Sequence, residues 1–158
     1  MILLSIGNHT QQFDRLLTKM DNLVADGKIK DVIAVIGNSP YEPKNYKWYR
    51  FVDYKKYTEL EKKSSVVVVH AGVGSIMSAL ELGKPVVVVP RQAKFNEHID
   101  DHQVYTAKEL EKQGKVIAVY DISDLADAIK MAEKFKPKGM KDKSTVLDII
   151  KSKLDEWS

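Results

Sequence analysis

The sequence predicts an α/β protein built on a single Rossmann-like, doubly wound parallel sheet. Val66–Val69 and Val86–Val89 are two runs of four valines, the composition of strands buried on both faces. Between them His70-Ala-Gly-Val-Gly-Ser75 breaks the apolar run. A short helix follows, with Ile76, Ala79, Leu80 and Gly83 at helical spacing. Gly83-Lys-Pro85 stops it, so residues 66–90 read as strand, glycine turn, helix, strand with a right-handed crossover. The same alternation of strand and helix recurs along the chain, which selects a parallel sheet covered on both faces.

Met1–Ile6 is the first buried strand, and Gly7-Asn-His-Thr10 the turn after it, with Thr10 as N-cap. Phe13, Leu16, Leu17, Met20, Leu23 and Val24 give an amphipathic helix over residues 11–26, closed by Gly27. Asp31–Ile36 is the second strand. Residues 37–45 form a loop dense in turn formers, and Trp48–Val52 is the third strand. Asp53–Lys63 is a charged helix. Past Pro90 the segment up to Gln103 is polar and holds two of the four histidines. Val104–Gln113 is helical, Val116–Tyr120 is the sixth strand, and Ser123 caps a helix carrying Leu125, Ala128, Ile129, Ala132 and Phe135. Lys136–Lys143 is a basic linker, and Ser144–Trp157 is a last amphipathic helix. The chain therefore divides into a nucleotide-type domain over 1–143 and a helix over 144–158 whose apolar stripe packs on this domain or crosses to a partner.

At 158 residues the chain is one domain with room for a substantial core. The absence of cysteine excludes a disulfide framework and thiolate metal sites. No stretch approaches the ~20 apolar residues of a membrane span, and these features place the chain in the cytoplasm. A net charge of +3 suits a phosphorylated ligand or an anionic membrane surface and is too small to argue for nucleic acid.

In a doubly wound sheet ligands sit at the carboxyl ends of the strands where strand order reverses. With order 3-2-1-4-5-6 the reversal lies between strands one and four. Gly7-Asn8-His9 and His70-Ala71-Gly72-Val73-Gly74 then face each other across one crevice. A glycine turn before a helix N-terminus presents free N–H groups and partial positive charge, an anion site to which Ser75 adds a hydroxyl and His70 a ring nitrogen. The turn is neither a G-x-G-x-x-G nor a Walker loop, and its alternative is a plain turn that needs glycine for packing. His98 and His102, spaced i, i+4, lack the zincin pattern and an evident third ligand, so they read as polar contacts for a hydroxyl-rich ligand and not as a metal site. Ser75 is not on a G-x-S-x-G elbow, which argues against a Ser-His-Asp hydrolase. The first turn lacks the dehydrogenase fingerprint.

Gln12-Phe-Asp-Arg-Leu-Leu17 after the first strand, His70-Ala-Gly-Val-Gly-Ser-Ile76 with Leu80-Glu-Leu-Gly-Lys-Pro85, and Pro90-Arg91 with Glu97-His98 and Asp101-His102-Gln103 resemble the glycosyltransferase family 28 C-terminal domain over nearly the whole chain. Ser39-Pro-Tyr-Glu-Pro-Lys-Asn-Tyr-Lys-Trp48 resembles the branch of stand-alone donor-binding subunits in bacterial polysaccharide synthesis. The resemblance implies the C-terminal half of a GT-B enzyme. Its donor would be a UDP-sugar, with no tightly bound cofactor and no metal. The acceptor, a lipid-diphosphate-linked sugar, would be held by a separate membrane-anchored subunit that recruits this chain to the cytoplasmic face of the membrane. The resemblance assigns His70, Gly72, Gly74 and Ser75 to the donor diphosphate and Asp101, His102 and Gln103 to the donor sugar; with the crevice topology and the neighbouring polar residues, the candidate donor site also takes in Gly7, Asn8, Ser39, Ala71, Glu97 and His98. His9 stands at the crevice mouth as a base within this chain, although the resemblance puts the general base on the partner. Relatives carry a ribose-binding Glu where this sequence has Ser78, and Glu81 lies one turn further on. The competing expectation is a non-catalytic UDP-sugar-binding subunit that stabilises its partner.

Overall fold

A computed structural model describes residues 1–135; the expected basic linker and last helix lie outside the described residues. Six strands form one parallel sheet: β1 Ile2–Ser5, β2 Val32–Val35, β3 Lys47–Tyr49, β4 Val66–Val69, β5 Val86–Val88 and β6 Ile117–Ala118. Their order is β3-β2-β1-β4-β5-β6, so the reversal falls between β1 and β4 as the alternation predicts. Five helices connect or follow them: α1 Asp14–Ala25, α2 Tyr54–Lys63, α3 Val73–Glu81, α4 His102–Lys112 and α5 Leu125–Ala132.

The valine runs are buried on both faces. Val66 and Val68 join Leu4, Ile6, Phe13, Leu17 and Ile129 in a core under α1 and α5. Val67 and Val69 join Ile76, Leu80, Val88 and Leu110 in a second core under α3 and α4. Alternate residues of one strand thus serve opposite cores, and no polar side is left to show an alternating pattern.

Several boundaries differ from the sequence expectation. Helix α1 begins at Asp14, not residue 11, because Gln12 Oε1 accepts the Asp14 N–H and Ser39 Oγ accepts the Phe13 N–H; Thr10 does not cap it. Asp53 is the N-cap of α2, its carboxylate accepting the Lys56 N–H at 2.8 Å. Asp121, not Ser123, accepts the N–H at the turn leading into α5. At α1 and before α5 another side-chain acceptor outcompetes the residue that spacing alone suggests, and at α2 the expected first residue is the cap itself. The polar loop 37–46 is tied to α1 by buried Asp21, which accepts from Tyr41 Oη at 2.6 Å and from the N–H groups of Lys44 and Asn45. Burial opposes ionisation of Asp21, but these hydrogen bonds hold its carboxyl below the usual range.

Candidate functional site

At the reversal point the loops after β1 and β4 meet, and His70 is the contact between them. Its ring lies so close to both loops that a Cβ on Gly7 would overlap Nε2 and a Cβ on Gly72 would overlap Cε1. Gly7 also has φ +76°, where a side chain is strained. These two glycines therefore make room for the protein's own imidazole. Gly74 differs: a Cβ there would meet nothing within 4 Å. It sits in the first turn of α3, a terminus that no side chain caps. The N–H groups of such a turn have no intrahelical partner, so this is the open position of the loop.

Gln103 sets the protonation pattern of His70. Its Oε1 accepts the N–H groups of Ala71 at 3.2 Å and Arg91 at 3.0 Å, which identifies the oxygen end of the amide. Its Nε2 then faces His70 Nδ1 at 3.4 Å as a donor. Nδ1 is the acceptor, so the ring carries its proton on Nε2, toward the β1 loop. Burial, and then the charges of Arg91 and His9, push the His70 pKa down to about 4. At neutral pH His70 is an uncharged N–H donor.

Beneath the crevice Arg91 is fully buried. Its Nη1 donates to the carbonyls of Gln11, Gln12 and Glu97 at 3.0–3.2 Å, and its Nη2 to that of Ile6 at 2.7 Å. Burial pushes its pKa down to about 10. Glu97, also fully buried, is bidentate to Arg15 at 2.9 and 3.0 Å and accepts the Gln92 N–H. Ser39 is buried with its hydroxyl on the Phe13 N–H. Ala71 is buried in the α3/α4 core with its N–H on Gln103. Of the donor contacts the sequence suggests, Ser39, Ala71, Glu97 and the Gln103 carbonyl are thus spent inside the protein. The cause is physical: a buried carboxylate or hydroxyl must be satisfied locally, and each has found a backbone or cationic partner.

His9, His98, Asp101 and His102 gather at the crevice mouth, whereas Asn8 lines the cavity on the α2 flank. The His9 and His98 rings lie 4.9 Å apart between centroids. His9 Nδ1 accepts the Gln11 N–H at 3.1 Å, and burial, Arg91 and His98 all lower its pKa. Asp100 stands between two imidazoles, 3.0 Å from His98 Nδ1 and 3.5 Å from His102 Nδ1. Asp101 accepts the Ala93 N–H at 2.9 Å. All four histidines of the chain therefore lie at one end of the sheet.

On the α2 flank of the crevice a cavity of about 310 Å³ is lined by Ser5, Gly7, Val35, Val52, Tyr57 and Ser75, among others. Ser75 joins it directly to the α3 terminus. Ser78, one turn deeper, donates to Glu61 Oε1 at 2.7 Å, and Glu61 is buried with its second oxygen unpartnered. Glu81 ends α3, at the opposite end of the helix from the crevice.

Sequence reasoning missed Arg91 as the hub of the loops, Asp100 as the bridge between histidines, and the cavity walls from β2 and α2. Only Arg91 left a local signal: a cation directly after a strand buried on both faces has to be satisfied inside.

The sequence matches the family model described as "Glycosyltransferase family 28 C-terminal domain" over residues 1–153. The human "UDP-N-acetylglucosamine transferase subunit ALG13" is 42% identical over 66 residues, covering 42% of this chain and 5% of that protein. The mouse protein of the same name is 31% identical over 114 residues, covering 61% of this chain and 9% of that protein. The chain thus spans less than a tenth of the length of these curated relatives. Among solved structures, an NMR solution structure of ALG13 superposes with TM-score 0.59 at 18% identity over 90% of this chain and 89% of that chain. The glycotransferase of kitacinnamycin gives 0.63 at 18% over 98% and 39%. MurG of Acinetobacter baumannii gives 0.57 at 14% over 96% and 49%. At these identities the superpositions establish a shared fold.

Proposed function

The chain belongs to the glycosyltransferase family 28 C-terminal domain family, and from that premise we propose that it is the donor-binding subunit of a two-component inverting glycosyltransferase. It takes a UDP-sugar and, with a membrane-anchored partner, passes the sugar to a lipid-diphosphate-linked saccharide. The observation that carries this reading is the junction at Ser75. An uncapped helix terminus with open space at Gly74 runs directly into a cavity of about 310 Å³, which suits a diphosphate joined to a nucleoside. The relatives named as UDP-N-acetylglucosamine transferase subunits support the donor class and the need for a partner.

The chemistry follows from the donors present. An acceptor hydroxyl attacks the anomeric carbon, the bond to the diphosphate breaks, and negative charge grows on the leaving UDP. The N–H groups around Gly74 and Ser75, the α3 dipole and the neutral Nε2–H of His70 converge where that charge develops. Asn8 lines the nucleoside cavity, and His102 stands at the mouth, on the side where the sugar would project. The donor is a substrate, and the reading requires no tightly bound cofactor.

UDP should raise the melting temperature of the isolated chain, since a ligand at a hundred times its dissociation constant adds ~2.7 kcal/mol. Ser75→Ala should weaken both UDP and UDP-sugar binding. A chain indifferent to millimolar UDP and UDP-sugars overturns the proposal. Binding without transfer, even with the partner present, selects the non-catalytic subunit.

A further inference from the structure

We propose that Gln103 is a positioning residue for sugar transfer: it acts through His70, holding the imidazole proton on the nitrogen that faces the leaving diphosphate, and not by binding the donor sugar. The inference rests on the glycosyl-transfer reading above and departs from the sugar contact that the sequence suggests for Gln103.

A primary amide has one oxygen with two lone pairs and one nitrogen with two protons. Gln103 sits in the first turn of α4. Both lone pairs of its Oε1 are taken, by the N–H groups of Ala71 at 3.2 Å and Arg91 at 3.0 Å. Ala71 belongs to the β4 loop and Arg91 to the β5 loop, so this oxygen pins the two loops together. A sugar hydroxyl donating to Oε1 would have to displace a backbone N–H and leave it unpaired, which is costly. The oxygen also fixes which end of the amide turns to His70, because two N–H donors can meet only an acceptor. Nε2 lies 3.4 Å from His70 Nδ1 and donates to it.

With Nδ1 engaged as an acceptor, the neutral ring carries Nε2–H. Nε2 is the ring atom closest to where a Gly7 Cβ would stand, so that proton lies on the β1 side of the crevice. The charged and titratable groups that act on His70 are Arg91 beneath it, His9 from the β1 loop and His98 from the β5 loop. His9 accepts the Gln11 N–H at its own Nδ1. Its neutral ring therefore also presents Nε2–H, which counts against the expectation that His9 is the base.

An isosteric change isolates the role of Gln103. In Gln103→Glu one carboxylate oxygen still accepts the Ala71 and Arg91 N–H groups, so the loops stay joined. The other oxygen faces Nδ1 as an acceptor only. The ring proton then moves to Nδ1, and a bare Nε2 lone pair faces the diphosphate. The added charge raises the His70 pKa from about 4 toward neutrality, so acid restores a proton on Nε2.

Nitrogen-15 NMR of the full chain should show Nε2–H at His70 in the wild type and Nδ1–H in Gln103→Glu. The variant should weaken UDP and UDP-sugar binding by the same factor, since the fault lies at the diphosphate. In the complex with the membrane subunit it should lower kcat at pH 8 by ~10²–10³-fold, the cost of losing one oxyanion donor. The ratio of variant to wild-type rate should rise as pH falls. In a His70→Ala background the same substitution should change kcat little. A wild-type His70 found as Nδ1–H overturns the proposal. So does a Gln103→Glu chain that loses UDP-sugar affinity but keeps UDP affinity, or one whose full effect persists without His70, because Gln103 would then act on the sugar itself. Failure of the wild-type chain to bind UDP counts against the donor-site reading, and the tautomer measurement tests Gln103 whatever that result.

Discussion

The loops after β4 and β5 meet at Gln103, yet they are built in opposite ways. The β5 loop consumes its polar groups internally. Arg91 binds carbonyls of residues 6, 11, 12 and 97, and Glu97 is bidentate to Arg15. The β4 loop houses one ring, that of His70, and then opens: Gly74 faces empty space on an uncapped helix terminus. One loop is closed on itself and the other leaves its backbone N–H groups open. Polar residues of similar appearance in the sequence therefore do different work, according to whether burial forces them to bond within the protein.

The sharpest way to break this contrast is at its hub. Arg91→Met leaves buried carbonyls without a donor, and removing one side of such a buried network costs about 3–5 kcal/mol. Urea unfolding should show that loss; a midpoint close to wild type would mean the β5 loop stands without Arg91.

The glycines of the β4 loop give the next contrast. Gly72→Ala forces a methyl onto the His70 ring, and overpacking of this kind costs about 1–3 kcal/mol. Gly74→Ala meets open space and should move stability by no more than about 1 kcal/mol. The bulkier Gly74→Leu should fold normally and fail to bind UDP. Equal destabilisation by the two alanine variants would erase the distinction between the glycines.

The pH dependence separates the two sides of the crevice again. His70 has its pKa lowered from 6.5 to about 4 in the folded chain, so the unfolded chain binds the proton more readily. Stability should be full above pH 6.5 and fall as pH drops toward 4. In His70→Gln that acid loss should shrink, which denaturant titrations between pH 4 and 7 can read.

The smallest effect is expected away from both loops. Burial raises the Glu61 pKa above its ordinary 4.5, with the Ser78 hydrogen bond acting against the rise. A raised carboxylate pKa favours the folded state at low pH and disfavours it once both states ionise. Glu61→Gln should therefore melt slightly above wild type at pH 7, with the gap closing as pH falls toward 4.5. A gap independent of pH would show that the carboxylate is ionised without penalty.

The fold was readable because its signals are local. Four-valine strands, glycine stops and helical spacing each report on a few consecutive residues, and the alternation of elements then selects the strand order that the structure has. The site was readable only in part. His70, Gly72, Gly74 and Ser75 lie in one short turn, so the sequence alone marks them as a candidate anion site. The internal bonds of Ser39 and Glu97 were not legible, because their partners, the Phe13 N–H and Arg15, lie 26 and 82 residues away. Whether a polar side chain faces a ligand or a neighbour depends on burial, which no short motif encodes.

By itself, then, the sequence determined the parallel sheet, the reversal point at β1 and β4, and the family to which the chain belongs, because hydrophobic period and turn chemistry act over a few residues at a time. Only the tertiary structure decided which nitrogen of His70 and of His9 holds a proton. That choice is made by Gln103 for His70 and by the Gln11 N–H for His9. Gln103 reaches His70 from 33 residues away, and folding had to close that loop before the donor pattern of the crevice could exist.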